Sequence, residues 1–325
     1  MGLMKRAFWD SKSSKIQSLA ILAAIFVLAV IPAFSGTYTP LFLAWVMTYC
    51  VMSLSWTFFS GKTGYISLAS AAFYGLGMYL QAILGWNIPL PAMMVLAAAA
   101  SFGAAFGIGI ITLRLRGIYF TIFTFGLALF LNSFIHWYEV KFTHTKGRMV
   151  MPYDNDTVFY AILAVFVIIL LAVIILNKSR FGLALDCIGQ NEDSAQHAGI
   201  NTTVMKVLAF AITASPVGAV GAVMSTTIGY VDPNIAFRIL VSFFPVLMAT
   251  FGGMYNMYGP IIGAVVFYSL QDYLLRKTDL YMIIFGVVMA VVILTMPRGI
   301  FGIIEKIIAR RRTGYDGEVV GDARV

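Results

Sequence analysis

The residues best suited to chemistry in this chain lie in one polar segment, Asp186–Thr203, which reads DCIGQNEDSAQHAGINTT. It carries an amide, two carboxylates and an imidazole in close succession, at Asn191, Glu192, Asp193 and His197. The whole sequence has only three histidines and contains no HExxH, GxSxG or P-loop pattern. We therefore expect no catalytic residues, no metal site and no cofactor, and we interpret the segment as a docking element.

The local pattern of this segment predicts a short helix from Glu192 to Ala198. Asn191 is a favoured N-cap residue, and the first two helical positions are acidic, as the helix dipole favours. Gly189 is expected to end the preceding element, and Gly199 is expected to be the C′ residue. A helix about 10 Å long is too short to be stable alone in water. It must dock, either on the protein's own surface or on a soluble partner.

A second polar group lies in the apolar stretch 64–84. Ser67, Ser70 and Tyr74 are spaced by three and four residues, which places them on one face if this stretch is a continuous helix. These hydroxyls are candidates for the lining of a weakly polar, charge-free passage. The alternative is that the serines bond to carbonyls one turn earlier or pack against a neighbouring helix.

The elements that must position these residues are membrane spans. Only 11% of the residues are charged, against about 25% in soluble domains, and the mean hydropathy is +0.89. Apolar runs of about 20 residues recur, each able to cross a ~30 Å hydrocarbon core. This predicts an all-α polytopic membrane protein with about ten transmembrane helices in a bundle rich in small residues. The expected spans are 16–34, 41–59, 64–84, 88–113, 117–138, 157–176, 205–228, 238–254, 259–275 and 280–296, of which 238–254 and 259–275 are either two full spans or a re-entrant pair.

The distribution of lysine and arginine predicts the orientation. With the N-terminus inside, 16 of these residues fall on the cytoplasmic side and 6 on the other, so both termini are expected in the cytoplasm. The net charge of +8 is then explained by contact with anionic membrane lipid, with no nucleic acid. We expect a cytoplasmic N-terminal segment at 1–15, a transmembrane domain at 16–304 that includes a cytoplasmic loop at 178–204, and a basic cytoplasmic tail at 305–325.

The interior of the predicted spans is notable for its lack of charge and its small residues. No Asp, Glu, Lys or Arg lies near the middle of any span, which argues against proton-coupled transport, although sodium bound by backbone carbonyls would escape this test. Two GxxxG pairs, Gly103 with Gly107 and Gly259 with Gly263, predict close helix packing. Further small residues of this kind are Gly75, Gly77, Gly218, Gly221 and Ala222.

Four segments, taken together, resemble a known family. GQNEDSAQHAGI (189–200) resembles the cytoplasmic EAA-type loop of ABC importer permeases. With GYISLASAAFYGLGMYLQAIL (64–84), VLAFAITASPVGAVGAV (207–223) and LMATFGGMYNMYGPIIGAVV (247–266), the chain resembles the branched-chain amino acid permease subunits of the LivM type, from about residue 41 to 304. It departs from the family at 65–70, which reads YISLAS where the family commonly has Gln-Ile/Leu-Ser-Leu-Gly-His.

The resemblance implies a multi-pass protein of the bacterial inner membrane without catalytic activity of its own. It implies a heterodimer with a related second permease subunit, two cytoplasmic ATP-binding subunits and a periplasmic solute-binding protein. The implied substrate is a branched-chain amino acid or a related small organic solute, such as an amide, urea, or an organic or aromatic acid. Carried over, the ATPase-coupling residues are Gly189, Glu192, Asp193, Ala195, Ala198, Gly199 and Ile200. The alternatives are a secondary transporter or channel that works without ATPase subunits, and a membrane scaffold.

Overall fold

The computed structural model describes residues 29–32, 36, 38–115, 117–254, 257–277, 283–284 and 286–287. From Tyr38 onward the α-helices are α1 (Tyr38–Trp56), α2 (Ser70–Leu84), α3 (Leu90–Thr112), α4 (Ile118–Tyr138), α5 (Asn155–Lys178), α6 (Arg180–Gln190), α7 (Glu192–His197), α8 (Thr202–Ile228), α9 (Pro233–Ala236), α10 (Leu240–Gly252) and α11 (Tyr258–Lys277). Helices α1 and α4 continue as π-helical turns at Thr57–Gly61 and Glu139–Thr143. Two short strands complete the fold, β1 (Arg148–Met149) and β2 (Tyr230–Val231).

Six helical stretches in these ranges are long and apolar enough to cross a membrane, which confirms an all-α polytopic membrane protein. They are Tyr38–Gly61, Leu90–Thr112, Ile118–Thr143, Asn155–Lys178, Thr202–Ile228 and Pro233–Gly252. The expected span 259–275 is helical within α11. The expected spans 16–34 and 280–296 lie largely outside the described residues.

The expected span 64–84 is not one continuous helix, and this prediction was wrong. Helix α2 begins only at Ser70, and residues 64–69 form a non-helical segment, which we call the break segment. The chain enters it through Gly64, whose φ of +76° lies in the left-handed region that glycine adopts without strain. Four of its six residues are buried: Tyr65, Ser67, Leu68 and Ala69.

Helix α8 lies at the centre of the bundle, packed against α2 and α3, while α1 packs against α5, α10 and α11. Glycines allow these close approaches. A Cβ at Gly77 would overlap the Gly218 carbonyl, and a Cβ at Gly263 would overlap the Met248 carbonyl. The close-packing interpretation is thus confirmed for Gly77 and Gly263. It is not confirmed for Gly103 and Gly107, because no atom of the described chain lies within 4 Å of a Cβ placed at either position.

The two ends of the bundle carry different structures. Helices α6 and α7 lie between the last residue of α5 and the first residue of α8, at one end of both long helices. At the other end β1 pairs antiparallel with β2, with Arg148 opposite Val231. Beside this strand pair the carboxylate of Glu139 is buried and accepts a hydrogen bond from the Gly147 N–H at 3.0 Å. The polar segment singled out above therefore lies at the end of the bundle opposite the strand pair.

Candidate functional site

Helix α6 leads into the polar segment without the interruption expected at Gly189. The helix begins after the N-cap Ser179 and continues through Gly189 to Gln190. The lack of a side chain at Gly189 serves a close approach instead, because a Cβ there would overlap the Lys62 carbonyl oxygen. The expectation that Gly189 ends the preceding element was wrong, because the helix continues through it. The residue that makes a glycine necessary here, Lys62, lies far away in the sequence.

Helix α7 has the two ends that its sequence predicts. Asn191 is its N-cap, and the Asn191 Oδ1 accepts a hydrogen bond from the Ser194 N–H at 2.9 Å. After His197 the chain turns at Gly199, whose φ is +84°, and the Ile200 N–H donates to the Ala195 carbonyl at 3.1 Å. This pair of features is the Schellman-type C-terminus expected for a glycine at C′.

One face of α7 docks on the rest of the chain and the other is exposed. Ala195 is buried, and the side chain of Glu192 is only 16% exposed. The remaining residues of the turn are exposed: Asp193, Ser194, Gln196, His197, Ala198 and Gly199. The predicted docking on the protein's own surface is confirmed for this buried face. The exposed face of α7 remains available to a soluble partner.

Glu192 is fastened to the membrane domain through both carboxylate oxygens. The Lys206 ammonium donates to Oε1 at 2.5 Å, and the Tyr65 hydroxyl donates to Oε2 at 2.5 Å. Burial raises the pKa of Glu192, but the hydrogen bonds from Lys206 and Tyr65 and the charge of Lys206 outweigh it, so the pKa lies below its ordinary value. Glu192 is thus ionised at neutral pH.

Lys206 is the buried centre of this cluster, which we call the Glu192 anchor (Glu192, Lys206 and Tyr65). Its side chain is 2% exposed, and its ammonium also donates to the Leu113 carbonyl at 3.4 Å and lies 4.3 Å from the centre of the Tyr65 ring. A buried cation is stable only when paired and hydrogen-bonded, as here. Sequence reasoning assigned Lys206 to the cytoplasmic loops and missed this role. The available signal was a single lysine near the start of an otherwise apolar helix.

A second ion pair ties α6 to the same part of the chain. The Lys62 ammonium donates to Asp186 Oδ1 at 3.0 Å, and these side chains are 16% and 34% exposed. The Lys62–Gly189 backbone contact lies one helical turn further along α6. The polar segment therefore contacts the membrane domain at residues 62 to 65, where the break segment begins.

The break segment is held by side chains from three different helices, α1, α4 and α10. The Trp56 indole donates to the Ser67 carbonyl at 2.8 Å, and the Leu68 N–H donates to Thr124 Oγ1 at 3.0 Å. The Ser242 hydroxyl donates to the Leu68 carbonyl at 2.7 Å and accepts from the Ala71 N–H at 2.9 Å. Non-helical backbone at membrane depth is tolerated only where protein buries it or a cavity adjoins it, because lipid offers no hydrogen-bonding partners.

A narrow cavity adjoins the break segment. It is lined by Ser55, Trp56, Phe59, Ser60, Ser67, Ser70, Phe73, Phe210, Thr213, Ala214 and Val217. It thus combines hydroxyls with aromatic rings and has no charged side chain in its lining. The hydroxyl of Ser55 is buried there without a hydrogen-bonding partner. About 20 Å³ is open to the centre of a water molecule, roughly room for one water, so a solute of amino acid size does not fit in this conformation.

The cavity brings together two of the three hydroxyl residues expected to share a helix face. Ser67 and Ser70 both line it, but Ser67 belongs to the break segment and not to α2. Tyr74 is buried and is not among the lining residues. Sequence reasoning missed Trp56, Ser60 and Thr213, which come from other elements and have no spacing relation to Ser67.

Comparison with known proteins identifies the family. The family model described as "Branched-chain amino acid transport system / permease component" matches residues 39–293, which include the break segment, the cavity lining and α7. The chain belongs to this permease family.

Several relatives of this permease are similar along most of its length. It is 24% identical over 322 residues to the high-affinity branched-chain amino acid transport system permease protein LivM of Salmonella typhimurium, covering 88% of this chain and 76% of the relative. It is 23% identical over 284 residues to the corresponding protein LivH of Escherichia coli, covering 78% and 91%. A shorter similarity, 25% over 130 residues, links it to the xylose transport system permease protein XylH of Haemophilus influenzae, covering 39% and 35%. No solved structure matches this permease.

Membership of this family and the six apolar helices make the permease a multi-pass protein of the inner membrane. It is a transport subunit of an importer and not an enzyme.

Proposed function

We propose that this chain is the permease subunit of a binding-protein-dependent ABC importer for a branched-chain amino acid or a related small organic solute, such as an amide, urea, or an organic or aromatic acid. The family and the similarity to LivM support the class of substrate. Similarity to both LivM and LivH supports pairing with a related second permease subunit, as a heterodimer. Two cytoplasmic ATP-binding subunits and a periplasmic solute-binding protein complete the proposed assembly, so that ATP hydrolysis takes place on the partners.

In this proposal the permease domain spans 16–304 with ten transmembrane helices, and the segments 1–15 and 305–325 lie in the cytoplasm. The α7 end of the bundle is then cytoplasmic and the strand-pair end is periplasmic. The charge distribution supports this orientation. In the ten-span topology 16 lysine and arginine residues are assigned to the α7 side and 6 to the other, and the excess comes from the segments before residue 16 and after residue 297.

The proposed contact with an ATP-binding subunit is the loop 178–204, with Gly189, Glu192, Asp193, Ala195, Ala198, Gly199 and Ile200 as its coupling residues. The observation that carries this proposal is the combination of firm attachment and exposure in α7. Glu192 and Ala195 hold the helix on the membrane domain, while Asp193, Ala198 and Gly199 face outward. A helix that is attached on one face and exposed on the other is suited to transmit a movement of a bound soluble subunit to the bundle.

The proposed translocation pathway includes Ser67 and Ser70, with Tyr74 next to it on α2. The uncharged cavity that Ser67 and Ser70 line supports the first two assignments. A permease supplied by a binding protein does not need to hold its solute tightly, so a few hydroxyls and aromatic rings are sufficient. The apolar part of the lining favours a solute with apolar bulk over a sugar.

Co-purification tests the proposed assembly. A tagged copy of the chain, isolated from native membranes in mild detergent, should bring with it two ATP-binding subunits and a second permease. Recovery of the chain with no ATP-binding subunit would contradict the proposal. Uptake into vesicles that is driven by a proton or sodium gradient, without ATP, would favour the alternative of a secondary transporter.

A further inference from the structure

The Glu192 anchor joins the exposed helix α7 to the cavity through the break segment. We propose that Tyr65 and Lys206 are positioning residues that transmit a displacement of α7 to the break segment and so open or close the cavity beside Ser67 and Ser70. This inference rests on the proposed function of α7 as the contact with an ATP-binding subunit. It adds the route by which movement of that contact reaches the solute.

The first step of the route is the carboxylate of Glu192. Both of its oxygens are engaged, one by Lys206 from α8 and the other by Tyr65 from the chain before α2. Hydrogen bonds that involve an ionised partner are roughly twice as strong as neutral ones. Glu192 is the first residue of α7, so α7 cannot shift without moving its two partners or breaking these bonds.

The second step is the position of Tyr65 in the break segment. Its ring packs against Phe120, with the ring centres 5.7 Å apart, and the Lys206 ammonium covers the ring. Tyr65 is separated from Ser67 by a single residue, about 7 Å along an extended chain. A force applied at the hydroxyl of Tyr65 therefore acts on backbone that lies directly at the cavity.

The third step is the attachment of the break segment itself. Gly64 and Ala69 at its two ends bond to the backbone of the flanking helices, but between them the Ser67 and Leu68 backbone is bonded to the side chains of Trp56, Thr124 and Ser242. Such bonds can exchange one at a time, whereas a helix must move as a unit. Because the cavity in this conformation has room for only about one water, a solute can pass only if its lining moves. Glu192 of α7 contacts two elements of the lining, the break segment through Tyr65 and α8 through Lys206. Of these two, the break segment is the non-helical one.

The ion pair of Lys62 with Asp186 makes a parallel but weaker connection. It starts from α6 and not from α7, and the Asp186 side chain is 34% exposed. Ion pairs open to solvent contribute little, because water competes for both partners. The Glu192 anchor is more buried, with Lys206 at 2% and Glu192 at 16%, and is the stronger link.

A double-mutant cycle tests the route in the complete complex reconstituted in vesicles. The variants are Tyr65→Phe, which removes the hydroxyl and keeps the ring, Glu192→Gln, and the two combined. The measurement is radiolabelled leucine taken up per ATP hydrolysed, in preparations shown to retain their ATP-binding subunits. We expect each single variant to lower this ratio roughly fivefold or more, with the double variant no worse than the more affected single variant. Tyr119→Phe, at an exposed tyrosine on α4, is the matched control and should leave the ratio unchanged.

A second readout follows the cavity directly. The rate at which N-ethylmaleimide alkylates a Ser70→Cys variant should change when ATP is added, and Tyr65→Phe in the same chain should abolish that change. An unaltered uptake ratio in both single variants, or additive losses in the double variant, would overturn the proposal. Failure of either single variant to assemble would assign the anchor to folding and would also overturn it. A wild-type complex that lacks ATP-binding subunits would instead contradict the proposed function.

Discussion

At the scale of single residues, the site depends on a carboxylate whose two oxygens have different partners. The pKa of Glu192 is lowered in the folded chain, so the stability it contributes is present above the ordinary pKa of an unfolded glutamate and is lost as the pH falls through the folded value. The two ends of α7 were predictable because Asn191 and Gly199 act on neighbouring residues. The pairing of Glu192 with Lys206 and Tyr65 was not predictable, because those partners lie 14 and 127 positions away in sequence.

Gly199 offers a test of the exposed end of α7. Gly199→Asp introduces a negative charge at the C-terminal end of a helix, where the dipole disfavours it, on backbone at φ +84°. Gly199→Asn has nearly the same size and tolerates this conformation, so it isolates the effect of charge. We expect Gly199→Asp to reduce uptake per ATP hydrolysed by roughly tenfold and Gly199→Asn to change it little. Equal uptake by both variants would exclude the charge-sensitive contact.

Ser70 offers a test of the cavity. Ser70→Trp fills a lining position with a large ring and should abolish uptake while the complex still assembles, because Ser70 lies inside the bundle and away from α7. Ser70→Ala should be mild, since a single hydroxyl contributes only about 1 kcal/mol. Uptake of radiolabelled leucine and co-purification of the ATP-binding subunits measure the two properties separately. Normal uptake by an assembled Ser70→Trp complex would remove this position from the pathway.

At the scale of elements, the sequence predicted the close packing of helices but not the break segment. The run 64–84 is mostly apolar and has no charged residue, so a continuous helix was the natural prediction, and Gly64 at its start was the local sign against it. The chain is held out of a helix by hydrogen bonds such as those in which the Leu68 N–H donates to Thr124 and the Leu68 carbonyl accepts from Ser242. No local sequence pattern connects Thr124 or Ser242 with Leu68. The sequence predicted that glycines allow close helix packing, but which glycines make such contacts depends on the fold.

A matched pair of glycine variants tests this selection. Gly77→Ala should destabilise the protein by about 1–3 kcal/mol, because the new methyl group would overlap the Gly218 carbonyl and force α2 and α8 apart. Gly103→Ala meets no atom of the described chain and should stabilise α3 by up to about 1 kcal/mol through helix propensity. Thermal unfolding of the two variants in the same detergent gives the comparison. A Gly77→Ala variant as stable as wild type would contradict the close approach.

At the scale of the whole molecule, the bundle is polarised from end to end and from side to side. Helices α1 and α8 are largely buried, whereas α3 and α4 expose most of their apolar surface. The α7 end carries the anchor, and the far end carries the strand pair and the buried Glu139. Membrane class and helical fold followed from composition and length alone, while this internal arrangement required the structure.

Cysteine labelling tests the orientation of the two ends. The exposed native Cys187 is first replaced by serine, while Cys50 is buried and can remain. In intact cells with a permeable outer membrane, Asp154→Cys should react with an impermeant thiol reagent and Ser194→Cys should not, because the proposed topology assigns 16 of 22 basic residues to the side of α7. Labelling of Ser194→Cys after the inner membrane is opened is the control. The reverse pattern would invert the proposed topology.

The strand pair also dictates an order of events during synthesis. Met149 and Tyr230 are partners in the ladder although about 80 residues separate them, and α5 to α8 all lie between. In the proposed orientation β1 therefore leaves the ribosome and crosses the membrane long before its partner strand exists. Until α8 has been inserted, the loop after α4 has no strand to pair with and stays open to proteases on that side. The strand pair can thus form only after the nascent chain has inserted its central helix, α8. Chains whose synthesis stalls before that point should be cleaved by proteases at this loop.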